Sequence, residues 1–98
     1  MLGPDNVAQN LVVSSASGAD TPTFSWSAPA TPPALTPFTY SVQNLGSNQI
    51  DVPSSVTSLD LATLGLTLQA GTYYWQVQVQ DAAGNTADVA ANTPYVAP

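Results

Sequence analysis

Asp81, Asn85 and Asp88 are the residues whose types and spacing come closest to a functional site. Ca²⁺ needs only oxygen ligands, and these three side chains fall within one predicted hairpin loop. The run Asp-Ala-Ala-Gly-Asn is equally typical of a turn, in which Asp and Asn side chains bond local backbone and Gly84 permits a positive φ. Because no DxDxDG pattern is present, the turn is the favoured interpretation, and a calcium site is the alternative.

The chain has few of the side-chain types on which catalysis depends. It contains no His, Cys, Lys or Arg, so no imidazole, thiolate, amine or cationic electrophile is available. A Ser or Thr nucleophile would lack its base, and a hydrolase with paired carboxylates needs two Asp residues flanking a cleft. The Asp residues here stand singly in turns or at strand ends. We therefore expect neither an enzyme nor a cofactor.

The charge balance limits the partners of the chain. Its net charge is -6 at pH 7, and its acidic side chains are all Asp. Phosphate recognition needs Lys or Arg, so binding to nucleic acid and to anionic lipid is not expected. Acid protonates the Asp residues and brings the net charge towards about zero, which removes self-repulsion. This predicts tolerance of acid, a hypothesis that stands beside simple drift towards low charge.

Polar and aromatic side chains on predicted strands suggest other surfaces. Tyr74 and Tyr95 could stack on sugar rings, although a lone outward Tyr more often packs across strands. The row Gln76, Gln78 and Gln80 predicts an uncharged polar face, either solvated or in contact with a second copy. Native sheet edges are commonly protected by Lys, which is absent here, so self-association is an alternative to a monomer.

The order of strand-like segments and turns predicts an all-β fold. Helix signals are nearly absent, nine Pro residues are scattered along the chain, and alternation of apolar and polar residues is frequent. A turn is expected at Ser17 to Asp20, and a proline-rich connection at Ala28 to Pro37. Seven extended segments are expected: 7–14, 23–27, 38–44, 49–52, 56–61, 72–80 and 86–96.

Residues 72–80 alternate strictly, which places Tyr73 and Trp75 on one face and Tyr74 on the other. The run Leu59 to Leu68 allows a helical turn, but its alternating Leu residues and Gly65 favour a strand followed by an extended connection.

Several motifs in this order resemble the fibronectin type III domain. Phe24, Trp26 and Pro29 are similar to its second-strand motif, and Tyr40 stands where the third strand carries a core Tyr. Residues 68–73 resemble its entry to the sixth strand, with Ala70 in place of the usual Pro, and residues 71–85 resemble the bacterial version of the module. The resemblance implies a seven-stranded antiparallel immunoglobulin-like β-sandwich and a Tyr73 hydroxyl that bonds backward to backbone.

The expected domain is a single fibronectin type III-like unit over residues 1–98, with no metal, no nucleic acid and no membrane insertion. No apolar run reaches the roughly 18 residues that span a bilayer, and any export signal is expected outside these residues. The expected function is a structural, spacer or adhesion module of a secreted or cell-surface protein, outside the cell and next to neighbouring domains of its own polypeptide. The alternatives are a glycan- or protein-binding module that uses loops 28–37 and 81–88, and a self-assembling surface-layer or filament subunit.

The expected structural core consists of apolar residues that alternate inward on the predicted strands. They are Phe24, Trp26, Phe38, Tyr40, Val42, Leu59, Leu61, Tyr73, Trp75, Val77 and Val79.

Overall fold

The structure is a computed structural model that describes residues 2–14 and 22–97. A single turn of 3-10 helix, Pro4–Asn6, precedes the strands. The expected turn at Ser17 to Asp20 lies outside the described residues. The strands are β1 (Gln9–Ser14), β2 (Thr23–Ser27), β3 (Thr39–Leu45), β4 (Asn48–Pro53), β5 (Ser58–Asp60), β6 (Gly71–Tyr73), β7 (Gln76–Gln80), β8 (Thr86–Ala90) and β9 (Tyr95–Ala97), with helix α1 (Leu61–Leu64) between β5 and β6.

All strand pairs are antiparallel, which confirms the all-β prediction. One sheet has the order β1-β2-β5, a second has the order β4-β3-β7-β8, and β6 pairs with β9 in a third. Rings from the first sheet pack edge-on against rings from the second: the Trp26 and Tyr40 ring centroids are 5.4 Å apart. The two larger sheets therefore face one another across an aromatic core.

Nine strands replace the seven expected segments because two of those segments are interrupted. The sixth breaks at Tyr74 and Trp75, and the seventh breaks over residues 91–94. Two residues, 74 and 75, separate β6 from β7, whereas four residues, 91–94, separate β8 from β9. Because these two connections differ in length, the hydrogen-bond ladder between the strands is interrupted there. Pro94 also lacks a backbone N–H. One hydrogen bond still crosses the gap, from Ala91 N–H to Trp75 O at 3.1 Å.

A short helix stands where an extended connection was expected, so that expectation was wrong. The Asp60 carboxylate caps α1 by accepting from the Ala62 N–H at 3.1 Å and from the Thr63 hydroxyl at 3.0 Å. Gly65 ends the helix at φ +71°, a left-handed conformation that glycine adopts without strain. Asp before the turn and Gly after it are ordinary cap signals, and they outweigh the alternation of the Leu residues.

The core is built mainly from the residues that the sequence analysis placed inward. Nine of those eleven are buried, while Phe38 and Tyr73 are partly buried and pack against the cluster. Phe24 lies at its centre, with ring centroids 4.8 Å from Trp75 and 5.8 Å from Tyr95. The cluster also contains residues outside the expected set: Ala8, Leu45, Leu68, Tyr95 and Ala97.

Candidate functional site

The Asp81 carboxylate closes the turn between β7 and β8. Its Oδ1 accepts hydrogen bonds from the backbone N–H groups of Ala83 and Asn85, both at 2.9 Å. Its Oδ2 accepts a third from Asn85 Nδ2 at 3.1 Å. Gly84 has φ +89°, and the Asp81 N–H donates to Asn85 O at 2.9 Å. Both carboxylate oxygens are thus engaged by the turn itself, as in an Asx turn.

Two opposing effects act on the pKa of Asp81. Desolvation by burial raises it, whereas hydrogen bonds from the Asn85 side chain, the Asn85 backbone and the Ala83 backbone lower it. The lowering causes prevail, so the pKa of Asp81 lies below its ordinary value. The turn therefore favours the ionised carboxylate without a metal ion.

The third candidate ligand of the loop does not join the other two. Asp88 lies on β8 opposite Gln78, exposed on the outer face of the four-stranded sheet. Across residues 2–14 and 22–97, no group of three or more acidic, His or Cys side chains could hold a metal ion. The structure brings Asp81 and Asn85 together and leaves Asp88 apart, so the calcium alternative has no ligand cluster to support it.

The loop that joins β2 to β3 and the turn after β7 meet at one end of the molecule, which we call the loop end and define as residues 28–37 and 81–85. The Ala82 N–H donates to Leu35 O at 3.1 Å. The N-terminal segment joins them, since Asn6 Nδ2 donates to Thr31 O at 2.7 Å and the Thr31 N–H donates to Asp5 O at 3.1 Å. This contact was not predicted from the sequence, although Gly3 to Asn6 are residue types that favour an ordered turn.

Two shallow cavities open at the loop end. One, of about 430 Å³, is lined by Ala34, Leu35, Thr36, Ala82 and Ala83. Another, of about 240 Å³, lies between the N-terminal segment and the loops, and its lining includes the buried Asp81 and the partly buried Asn85. Leu35 is 49% exposed there. The two predicted binding loops therefore form one surface, but its lining is mainly small and apolar.

The predicted polar row is a connected ladder of amides on the outer face of the four-stranded sheet. Gln76 Nε2 donates to Gln43 Oε1 at 2.7 Å, and Gln43 Nε2 donates to Gln78 Oε1 at 3.2 Å. Gln43 Nε2 also lies 3.2 Å from the Ser41 hydroxyl oxygen. Gln80 continues the row beside Thr39. These amides satisfy one another across β3 and β7, which stabilises the strand pair. The row itself is uncharged, and the exposed Asp51 and Asp88 lie on the two strands that flank it.

The two tyrosines considered for sugar stacking differ in exposure. Tyr74 is 69% exposed, whereas Tyr95 is buried against Phe24. The interpretation of Tyr95 as an exposed ring was therefore wrong, because β9 turns it into the core. All eight aromatic residues are described, and Tyr74 is the one that is mostly exposed. A platform of two or three coplanar rings is not formed.

The side chains of the sequence carry no positive charge, because Lys, Arg and His are absent. At the loop end, the smaller cavity is lined by the Asp81 carboxylate, whereas the lining residues of the larger one are uncharged. Within the described part of the chain, no helix is both long and apolar enough to cross a bilayer.

Comparison with known proteins assigns no family to the chain. No protein-family model matches its sequence, and the search of curated proteins gives no match.

Proposed function

We propose that the chain is a non-catalytic, fibronectin type III-like module of an extracellular or cell-surface protein, which acts as a spacer between neighbouring domains. The observation that carries this proposal is the placement of its two ends. Residues 5 and 6 bind the loop end, where β7 finishes, whereas β9 pairs with β6 at the other end, with Ala97 opposite Gly71.

The distance between the two ends follows from the strands that join them. Residues 71–80 comprise β6, β7 and the two residues between them. An extended run rises about 3.3 Å per residue, so this segment spans up to roughly 30 Å between the two ends. The long dimension of the molecule is 40 Å, against 24 and 20 Å across it. When the polypeptide enters a domain at one end and leaves it at the other, the domain adds its full length to the distance between its neighbours. A spacer requires this arrangement.

The strand order supports the fibronectin type III assignment. The orders β1-β2-β5 and β4-β3-β7-β8 form two facing sheets, as in immunoglobulin-like sandwiches. If β6 with β7 and β8 with β9 are each counted as one interrupted strand, the nine elements become seven. Tyr73 Oη donates to Gln69 O at 2.7 Å, the backward bond of a tyrosine corner.

The surface chemistry supports a passive role. Both carboxylate oxygens of Asp81 accept hydrogen bonds from within its own turn. The chain offers no Lys or Arg at which a trypsin-like protease could cut, which suits exposure outside a cell. A spacer needs this combination of a closed core and an unreactive exterior, whereas a catalyst does not.

The spacer proposal is tested by small-angle X-ray scattering on one copy and on two copies joined in tandem through their own ends. We expect the tandem to have a maximum dimension of about twice the 40 Å length of one copy, because each copy is entered and left at opposite ends. A tandem no longer than a single copy would reject the spacer role while leaving the fold intact. Far-UV circular dichroism of both samples provides the control for folding.

A further inference from the structure

The free edges of the two larger sheets differ in how well they are protected. Each sheet has two edge strands: β1 and β5 in one, β4 and β8 in the other. An edge strand presents unpaired N–H and C=O groups to which a strand of another molecule can add. Proteins commonly block such addition with Lys, bulges, Pro or short strands, and Lys is absent from this chain.

Three of the four edges are obstructed. β1 has a bulge between Gln9 and Val12, where Asn10 has φ +54°, and a bulge disrupts the regular spacing that pairing needs. β5 is three residues long. The free side of β8 faces β1 across a cavity of about 410 Å³, so an incoming strand would have to enter beside β1.

The remaining edge, β4, is six residues long and alternates regularly. Ile50 and Val52 pack against the core, while Gln49, Asp51 and Pro53 are exposed. The neighbouring register shift places the extra residue on β3, because two residues lie between Val42 and Leu45 but one lies between Ile50 and Asn48. Asp51 is the one charged residue on this edge, and Pro53 blocks only its last position.

We propose that β4 is a pairing edge for the β4 of a second copy of this chain. Repulsion between the two Asp51 charges keeps the edges unpaired at neutral pH, and the strands pair when that charge is removed. The two strands would run antiparallel and extend the four-stranded sheets into one. This inference follows from strand order and edge chemistry and does not depend on the spacer proposal.

The position of Asp51 explains why its charge controls the pairing. In an antiparallel pair centred on Asp51 the two carboxylates are directly opposite, with Cβ atoms about 4.5 to 5.5 Å apart, and a two-residue shift leaves them on a diagonal at about 7 to 8 Å. Like charges at such positions destabilise a strand pair. The net charge of -6 on each copy adds a longer-range repulsion.

Among the described residues, no positively charged side chain offsets Asp51. Ser41 on β3 lies directly opposite it, and Gln49 Nε2 lies 3.4 Å from Asp51 Oδ1. Neither group titrates in the acidic range. Loss of the Asp51 charge therefore removes the repulsion between the two copies at this position.

The test is sedimentation velocity on four samples, each with circular dichroism to confirm folding. At about pH 7 the wild type is expected to be a monomer and Asp51→Asn a dimer, because the variant keeps the shape of the side chain without its charge. Asp88→Asn, an exposed Asp on the opposite edge of the same sheet, is the control with the same change of net charge and is expected to stay monomeric. Asp51→Lys mixed with wild type is expected to form a one-to-one heterodimer at neutral pH.

The outcomes separate this edge from general loss of charge. A monomeric Asp51→Asn at neutral pH would overturn the proposal, as would equal association of Asp88→Asn, since the latter indicates pairing elsewhere or unspecific association near the isoelectric point. A dimer of Asp51→Asn together with a monomer of Asp88→Asn supports pairing through β4. A one-to-one heterodimer in the Asp51→Lys mixture would show in addition that the two side chains at position 51 face one another.

Discussion

The hydroxyl of Tyr73 donates a 2.7 Å hydrogen bond to the backbone carbonyl of Gln69, four residues upstream. This bond fixes the connection that leads from α1 into β6 at the end of the molecule opposite the loop end. The Tyr73 ring also packs against the core cluster, so the side chain joins a loop to the sheet in two ways.

Removal of this hydroxyl should weaken the fold. Tyr73→Phe keeps the ring and deletes the bond, and we expect a loss of about 1 kcal/mol in the free energy of unfolding. Urea denaturation at neutral pH measures it. Tyr74→Phe is the matched control, because Tyr74 is 69% exposed and its change should be small. An unchanged Tyr73→Phe midpoint would show that the bond contributes nothing.

The same deletion at Tyr40 should have the opposite effect. The Tyr40 ring is fully buried, and its hydroxyl has no hydrogen-bond partner among the described residues. Burial also raises the pKa of Tyr40, so the phenol stays neutral. Because an unpaired buried polar group costs about 1 to 3 kcal/mol, Tyr40→Phe should be as stable as the wild type or more stable. A loss as large as that of Tyr73→Phe would argue for a bonded hydroxyl.

Much of this core was predictable from the sequence. Alternation in 23–27 and 76–80 identified Phe24, Trp26, Val77 and Val79 as inward residues, because a strand between a core and solvent alternates strictly. Tyr73 was placed by the same rule but is only partly buried, since the ladder breaks at the next two residues. Periodicity reports the face of a residue within a strand, not whether the strand continues.

Other features depended on contacts between segments distant in sequence. Tyr95 becomes buried only because β9 pairs with β6, a partner that its own neighbours do not indicate. The same holds for the binding of Asn6 to Thr31. The carboxylate of Asp81, by contrast, is satisfied within its own turn, and its local motif was sufficient to favour that interpretation.

The central aromatic contact should dominate stability. Trp26→Ala removes a ring whose centroid lies 5.4 Å from that of Tyr40, and we expect a cost of about 3 to 5 kcal/mol. That is a large share of the roughly 5 to 15 kcal/mol that stabilises a typical domain. Tyr74→Ala, which truncates an exposed ring, is the control. Equal thermal midpoints for the two variants would reject the burial of Trp26 as a main source of stability.

The pH dependence of stability should contain a contribution from Asp81. Because its pKa is lowered in the folded state, its contribution is present above the unfolded pKa of about 3.9 and is lost as the pH falls through the lower folded value. Asp81→Asn should therefore be less stable than the wild type near pH 7, and the difference should shrink below about pH 4. Urea midpoints of both proteins between about pH 2 and 7 measure the difference.

Comparison of two proteins that differ by one charge largely cancels the effect of whole-chain repulsion, which changes as the net charge of -6 is titrated. Asp88→Asn is the matched control for that residual charge. A gap between wild type and Asp81→Asn that is constant over the whole pH range would exclude a role for the ionised Asp81 carboxylate.

The spacer geometry is tested by the distance between the two ends of the folded chain. The sequence contains no Cys, so Asp5→Cys with Val96→Cys gives two unique sites for spin labels, both at exposed positions. We expect a single distance by pulsed electron paramagnetic resonance, centred at roughly 30 Å, which is the rise of an extended segment of this length. A distance below about half of that value would place both ends together, and would contradict the spacer geometry and the strand order on which it depends.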